Sequence, residues 1–359
     1  MDYSAVDVFG VAPLAPLAGI LLFWFIQLLF IESLKYGLSK IWENHKALCR
    51  FSNFMGIFFQ ALAHALGYTL TGIGVAEFSL SVSEGRVVPK KEKKGFPEWL
   101  ANLFLSVGPF FVPPLIIFCI VAFMPDMLSV RPLEGFTFSE NLISFGSLLS
   151  QFGFKFLAFL VNLDLFNPFH LGFLLLFLIV GLGIRPSYIG EENRRIGMLH
   201  DLSMIKRSLI KHPVYLLIGF VSLYILSYIS LFLNIPIYVI VLSFFGWLSV
   251  ISIVALLFAH FIVGLIWISD RLPSYKRFIP FSSLVLSYII IRAVFSSLSL
   301  PYQYTVPLLL SPVVSLVSSF ILLRIETNKL KSTKIMRQLE NLSNLEGKDE
   351  GEGGDTTQR

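Results

Sequence analysis

Long apolar runs separated by short polar clusters dominate the chain. Runs close to the ~20 residues that cross a hydrocarbon core of about 30 Å recur at 11–34, 52–76, 100–124, 168–184, 213–234, 236–268, 281–300 and 303–323. Their apolar residues are continuous rather than alternating, which predicts membrane helices and not the strands of a barrel. A further stretch, 141–163, is equivocal. Gln151, Lys155, Asn162 and Asp164 interrupt it, so it reads as either half-buried or re-entrant.

The texture changes over 72–88. Val75, Glu77, Ser79, Ser81 and Ser83 alternate with Ala76, Phe78, Leu80 and Val82, and Glu84-Gly85 supplies a turn before Arg86-Val87-Val88. That pattern predicts a β-hairpin, in an unusual place directly after a membrane helix. Open strand edges are tolerated at membrane depth only where protein covers them. Past Arg324 the chain turns polar. Leu330, Ile335, Leu339, Leu342 and Leu345 predict a short helix with one apolar side, and the glycine- and acid-rich 346–359 is expected to be disordered. The expected fold is an all-α polytopic membrane protein of about eight transmembrane helices with a small β-hairpin after the second. It divides into an N-terminal helix and basic loop (1–50), a membrane core (51–200), a C-terminal bundle (201–324) and a polar tail (325–359).

Composition agrees with this reading, because 55% of the residues are hydrophobic and 14% charged, against roughly 25% charged in soluble proteins. The net charge of +5 is spread in clusters between apolar runs rather than along one soluble face, which argues against nucleic acid as a partner and for the bilayer. The loop 185–212, with Arg185, Arg194, Arg195, Lys206, Arg207 and Lys211, is expected on the cytoplasmic side under the positive-inside rule. So is 270–280, with Arg271, Lys276 and Arg277. Two spans then carry the C-terminus to the same side. The segments 35–50 and 80–97 are both basic, which leaves the N-terminal orientation open. The first run, preceded by Asp2 and Asp7 rather than a basic segment, is expected to stay as a membrane helix rather than to be cleaved. Cys49 and Cys119 imply no disulfide framework.

The most informative chemistry lies in the second run, at Gln60-Ala61-Leu62-Ala63-His64. An HExxH helix places two histidines one turn apart on a zinc ion and uses the glutamate to activate water. Here only the last histidine is present. His64-Ala65-Leu66 through Leu70-Thr71-Gly72 resembles the HExxHA and LTG helix of the site-2 protease family of intramembrane zinc metallopeptidases. Three further features follow in that family's order: the hairpin, Leu105-Ser106-Val107-Gly108-Pro109, which resembles the glycine-proline that opens the next span, and Gly183-Ile184-Arg185-Pro186-Ser187, which looks like a proline-serine motif of one branch. The resemblance covers roughly 50–200. It implies a zinc-dependent peptidase scaffold, but the departures fall on the chemistry. Gln60 replaces a ligand, Ala61 replaces the general base, and Gly190 stands where the branch has an aspartate, with Glu191 one residue later. Alanine takes no proton from water and glutamine is a poor zinc ligand. No catalytic residue is therefore expected; Gln60, Ala61 and His64 are vestigial, and no cofactor is expected.

A re-plumbed zinc site is the sharper alternative. The resemblance implies a third ligand near Asn162-Leu163-Asp164, and with His170 this gives His64, Asp164 and His170 as candidate metal ligands, in an active metalloprotease with altered ligands. The plainer reading makes His64 a packed helix residue and Asp164 a helix-start cap. Arg292, in the middle of the run 281–300, costs at least ~2.5 kcal/mol there unless paired or solvated, and Asp164 is its expected partner. His260 reads as a packed helix histidine. Pro113-Pro114, Pro301, Pro307 and Pro312 interrupt helices and free carbonyls, as transporters do at ion sites, yet no repeat relates the two halves. No Walker or dinucleotide glycine loop is present. The expected function is a non-catalytic scaffold that binds a membrane helix or partner subunit, by strand addition beside Glu77, Ser79 and Ser81; a transporter is a further alternative.

Overall fold

The computed structural model describes residues 3–81, 85–91, 95–133, 135–184, 206, 210 and 213–352. Helices α1 (Leu14–Ile41) and α2 (Lys46–Leu70) are followed by strands β1 (Val75–Leu80) and β2 (Gly85–Pro89). Then come α3 (Phe96–Ala122), α4 (Phe138–Val161), α5 (Pro168–Gly183), α6 (Pro213–Leu233), α7 (Ile237–Asp270), α8 (Ile279–Ser297) and α9 (Thr305–Glu352). Among the described residues six helices are long and apolar enough to cross a membrane, and α3, bent by 55° between Phe96–Phe104 and Ser106–Ala122, makes a seventh. This is an all-α polytopic membrane fold with one hairpin. The run at 52–76 becomes α2, which stands outside that set because Asn53, Gln60 and His64 dilute its apolar residues; α5, at 16 residues, is short.

The chain forms two compact units, Met1–Gly264 and Leu265–Arg359. The sequence segments divide the chain by texture and these units divide it by packing. Pro186, Ser187, Gly190 and Glu191 lie outside the described residues.

In the first unit, α4 is a full helix of 24 residues, which settles the equivocal 141–163 stretch. Its polar residues serve the loop before it. Gln151 donates to the Arg131 carbonyl at 2.9 Å and accepts from the Arg131 N–H at 3.0 Å, while the Lys155 ammonium donates to the carbonyls of Asp126 and Ser129 at 2.6 and 2.8 Å. The loop thus lies back along α4, and side chains that look misplaced in an apolar run satisfy its backbone. The N-terminus of α4 carries a capping box: Thr137 Oγ1 accepts from the Glu140 N–H and Glu140 Oε2 from the Thr137 N–H. Asp7 Oδ1 accepts from the Phe138 N–H at 2.9 Å. Asp7 begins a π-helical turn, Asp7–Val11, whose carbonyls are met by tyrosine hydroxyls. Tyr224 donates to Gly10 O and Tyr228 to Phe9 O, both at 2.7 Å, and Tyr238 donates to Pro13 O.

The bend in α3 has a covalent cause. Pro109 has no N–H for the carbonyl of Leu105, and its ring crowds that carbonyl, so the helix breaks there. Gly108-Pro109 accordingly sits inside α3, in the first turn of its second segment, Ser106–Ala122. Pro114 likewise leaves the Phe110 carbonyl without its helical donor, and Gln27, buried in α1, donates its side-chain amide to it at 2.9 Å.

In the second unit α8 packs on α9 through hydroxyls. Ser315 donates to the Pro280 carbonyl at 2.6 Å and Ser318 to Ser283 Oγ at 3.2 Å, the close, small-residue contact expected between membrane helices. The tail differs from expectation. Nothing breaks the helix after Pro312, so α9 runs 48 residues, about 72 Å at 1.5 Å per residue, and includes the 346–352 expected to be disordered.

Candidate functional site

Helix α2 carries Gln60 to His64, and three different neighbours pack round it. On one side Ser52 donates to the Leu182 carbonyl at 2.7 Å, and a methyl at Gly183 would stand 2.5 Å from the Phe59 ring, so α5 lies against Ser52 and Phe59. On a second side α3 approaches so closely that a methyl at Gly108 would stand 2.8 Å from Ala63 Cβ, and one at Gly67 equally close to Phe104 Cβ. On the third, the hairpin folds back along the helix. Its turn glycine, Gly85, would bring a methyl 2.7 Å from Ile57 Cγ2 and 3.5 Å from Ala61 Cβ.

The hairpin is antiparallel, with Glu77 opposite Val88, Phe78 opposite Val87, Ser79 opposite Arg86 and Leu80 opposite Gly85, and an irregularity between Val75 and Glu77. The alternation over 75–88 therefore forms the expected strands. Glu77, Ser79 and Ser81 are exposed, and among the described residues β1 pairs on one side only, with β2.

A helix turns about 100° per residue, which places Gln60 and His64 on one arc, between the Ala63 and Gly67 face turned to α3 and the Ile57 and Ala61 face under the hairpin. Both are half-buried. Ala61 is 3% exposed and Ala63 1%, so the position at which the resembling family has its general base is closed over by the hairpin.

Asp164 and His170 are brought together in the turn between α4 and α5. His170 Nδ1 accepts from the Asp164 N–H at 3.0 Å, and Asp164 Oδ1 accepts from the Phe166 N–H at 3.1 Å. The cap of α5 is Asn167, whose side chain accepts from the Phe169 N–H at 3.0 Å ahead of Pro168. Asp164 thus shapes the turn, and the plainer expectation that it caps the helix is corrected by one turn of chain: the asparagine beside the proline has the extended backbone a cap needs. Among the described residues no three His, Cys, Asp or Glu side chains are grouped to hold a metal ion. With one nitrogen of His170 engaged, an amide at position 60 and a methyl at 61, the donor set does not fit a zinc ion bearing an activated water.

Arg292 lies in the last two turns of α8 rather than in mid-span, because the helix ends at Ser297. The turn that follows brings Gln303, whose Oε1 accepts from Arg292 Nη1 at 3.2 Å, and Tyr304, whose ring centre is 4.5 Å from the guanidinium. These contacts lie inside the second unit; Asp164, the expected partner, belongs to the first. In α7, His260 Nδ1 lies 2.7 Å from the Leu256 carbonyl and its ring stands edge-on to Phe30 at 5.9 Å, the packing of a helix histidine.

Two features of the site went unread in the sequence. The seating of Gly85 on Ala61 has a faint signal, an alanine in a motif position that a turn glycine can approach. Gln27 has a better one, since Pro113-Pro114 announces freed carbonyls and a glutamine in an apolar run is a ready donor. No protein-family profile, characterised protein or solved structure matches this chain.

Proposed function

We propose that the protein is a non-catalytic, site-2-protease-like membrane scaffold that holds a transmembrane segment or partner subunit. One observation carries the reading: Gly85 rests on Ile57 and Ala61, so hairpin and motif helix form one packed surface where a peptidase of the resembling family would need its base and water. What remains useful in such a scaffold is the exposed strand β1, with Glu77, Ser79 and Ser81, to which an extended segment of a partner adds by main-chain hydrogen bonds. The loop charges support a C-terminus on the cytoplasmic side.

Zinc analysis of the purified chain beside its His64→Ala variant tests the catalytic half of the proposal. The expected result is no stoichiometric zinc in either. One zinc per chain, lost in His64→Ala, overturns it in favour of an altered metalloprotease. Photo-crosslinking from positions 77 and 79 in membranes tests the binding half: a discrete membrane-protein adduct is expected, and crosslinks to lipid alone overturn it.

A further inference from the structure

At one end of the second unit three stretches of chain meet. They are the close of α7 from Trp267 to Leu272, the 3₁₀ turn Ser274–Phe278, and the part of α9 that follows its apolar residues, from Arg324 to Lys329. The contact is built. Lys276 Nζ lies 2.5 Å from Glu326 Oε1, and the same oxygen holds Lys329 at 3.8 Å. Ser269 donates to the Arg277 carbonyl, Arg277 Nε donates to the Leu272 carbonyl at 3.0 Å, and the Arg271 guanidinium lies 3.7 Å above the centre of the Trp267 ring.

Charge at this end is unbalanced. Glu326, only 8% exposed, is shared between two lysines, and by count Arg271, Arg277 and Arg324 outnumber Asp270. Those three arginines are exposed. Beside them Tyr275 and Phe278 present their rings, 74% and 73% exposed, and the apolar run of α8 begins at the next residue, Ile279. A site for a soluble anion has no use for bare aromatic rings. Rings of this kind belong at the level of lipid headgroups, and guanidinium groups match phosphate oxygens in pairs.

We propose that this end of the second unit binds an anionic phospholipid. The phosphate sits against Arg271 and Arg277, and the acyl chains run past Tyr275 and Phe278 along α8. Glu326 is the positioning residue: by holding Lys276 it fixes the 3₁₀ turn against α9, and Arg277 is the next residue of that turn. The site is independent of the motif on α2.

Native mass spectrometry of the full chain in detergent, titrated with phosphatidylglycerol or with phosphatidylcholine of the same acyl chains, tests this. Preferential retention of phosphatidylglycerol is expected. In R271A/R277A the preference should fall on the order of thirtyfold, since each cation near an anionic surface contributes about 1 kcal/mol. Equal retention of the two lipids by the native chain, or an unchanged preference in R271A/R277A, overturns the proposal. Should R271A/R277A not fold, Tyr275→Ser with Phe278→Ser decides: it should lose phosphatidylglycerol while keeping its charge, and full retention overturns the acyl-chain contact. Inorganic phosphate added in excess should leave the lipid bound; complete displacement would make this a free-phosphate site and overturn the lipid reading.

Discussion

Gln27 donates its side-chain amide to the carbonyl of Phe110 at 2.9 Å, across 83 residues of chain, where Pro114 has no N–H to give. A glutamine buried in a membrane helix is costly on its own, and so is a carbonyl deprived of its helical donor. The amide N–H relieves the carbonyl, while Gln27 Oε1 stays buried with no hydrogen-bond partner among the described residues.

Gln27→Leu should therefore destabilise the protein by about 1–3 kcal/mol, the penalty for a buried unsatisfied acceptor. In a Pro114→Ala background position 114 regains an N–H and the same substitution should cost clearly less. A double-mutant cycle on reversible unfolding in mixed micelles measures the difference; additive effects would mean that the two sites are not coupled.

The hairpin seat gives a second test. Gly85→Ala places a methyl 2.7 Å from Ile57 Cγ2, and overpacking of this kind costs about 1–3 kcal/mol. Shortening the neighbour by Ile57→Ala should recover part of the loss, and limited proteolysis should show the hairpin cut faster in Gly85→Ala than in the double variant. Equal rates would unseat the hairpin from α2.

Lys155 makes three contacts to the loop, to Asp126 O, Ser129 O and Ser129 Oγ. Lys155→Met keeps the stem and removes the donor. Faster hydrogen exchange at 126–131 is expected with little change at 140–150, whereas uniform loss of protection along α4 would show that the lysine serves the helix instead.

Asp7 reaches 131 residues along the chain to the Phe138 N–H. Asp7→Ala should cost about 0.5–2 kcal/mol, the range for a lost cap, and Asp7→Asn should restore most of it because an amide oxygen also accepts. Thermal unfolding in a lipid-like detergent ranks the three proteins, and an Asn variant no better than Ala would argue that charge rather than hydrogen bonding matters.

Some of this was open to view in the residues. Continuous apolar runs predict membrane helices because the bilayer leaves the backbone few other choices, and the alternation over 75–88 could form little but a hairpin. Gln151 and Lys155 misled in an instructive way. They lowered the apolar character of α4 and suggested a re-entrant piece, yet the same side chains are what a loop lying along that helix requires. The stretch 60–64 resembles a zinc-peptidase motif, but nothing in its spacing placed Gly85 near Ala61.

From its sequence alone the protein is a helical membrane chain with one hairpin and a Gln60–His64 stretch that resembles a zinc-peptidase motif without its base, since periodicity, run length and residue type act locally. Tertiary structure alone decided which polar group answers which. Gln27 to Phe110, Asp7 to Phe138 and Ala61 beneath Gly85 each join residues distant in the chain or set by a fold-back. Where water is excluded a polar atom must find its partner inside the protein, and that choice belongs to packing rather than to pattern.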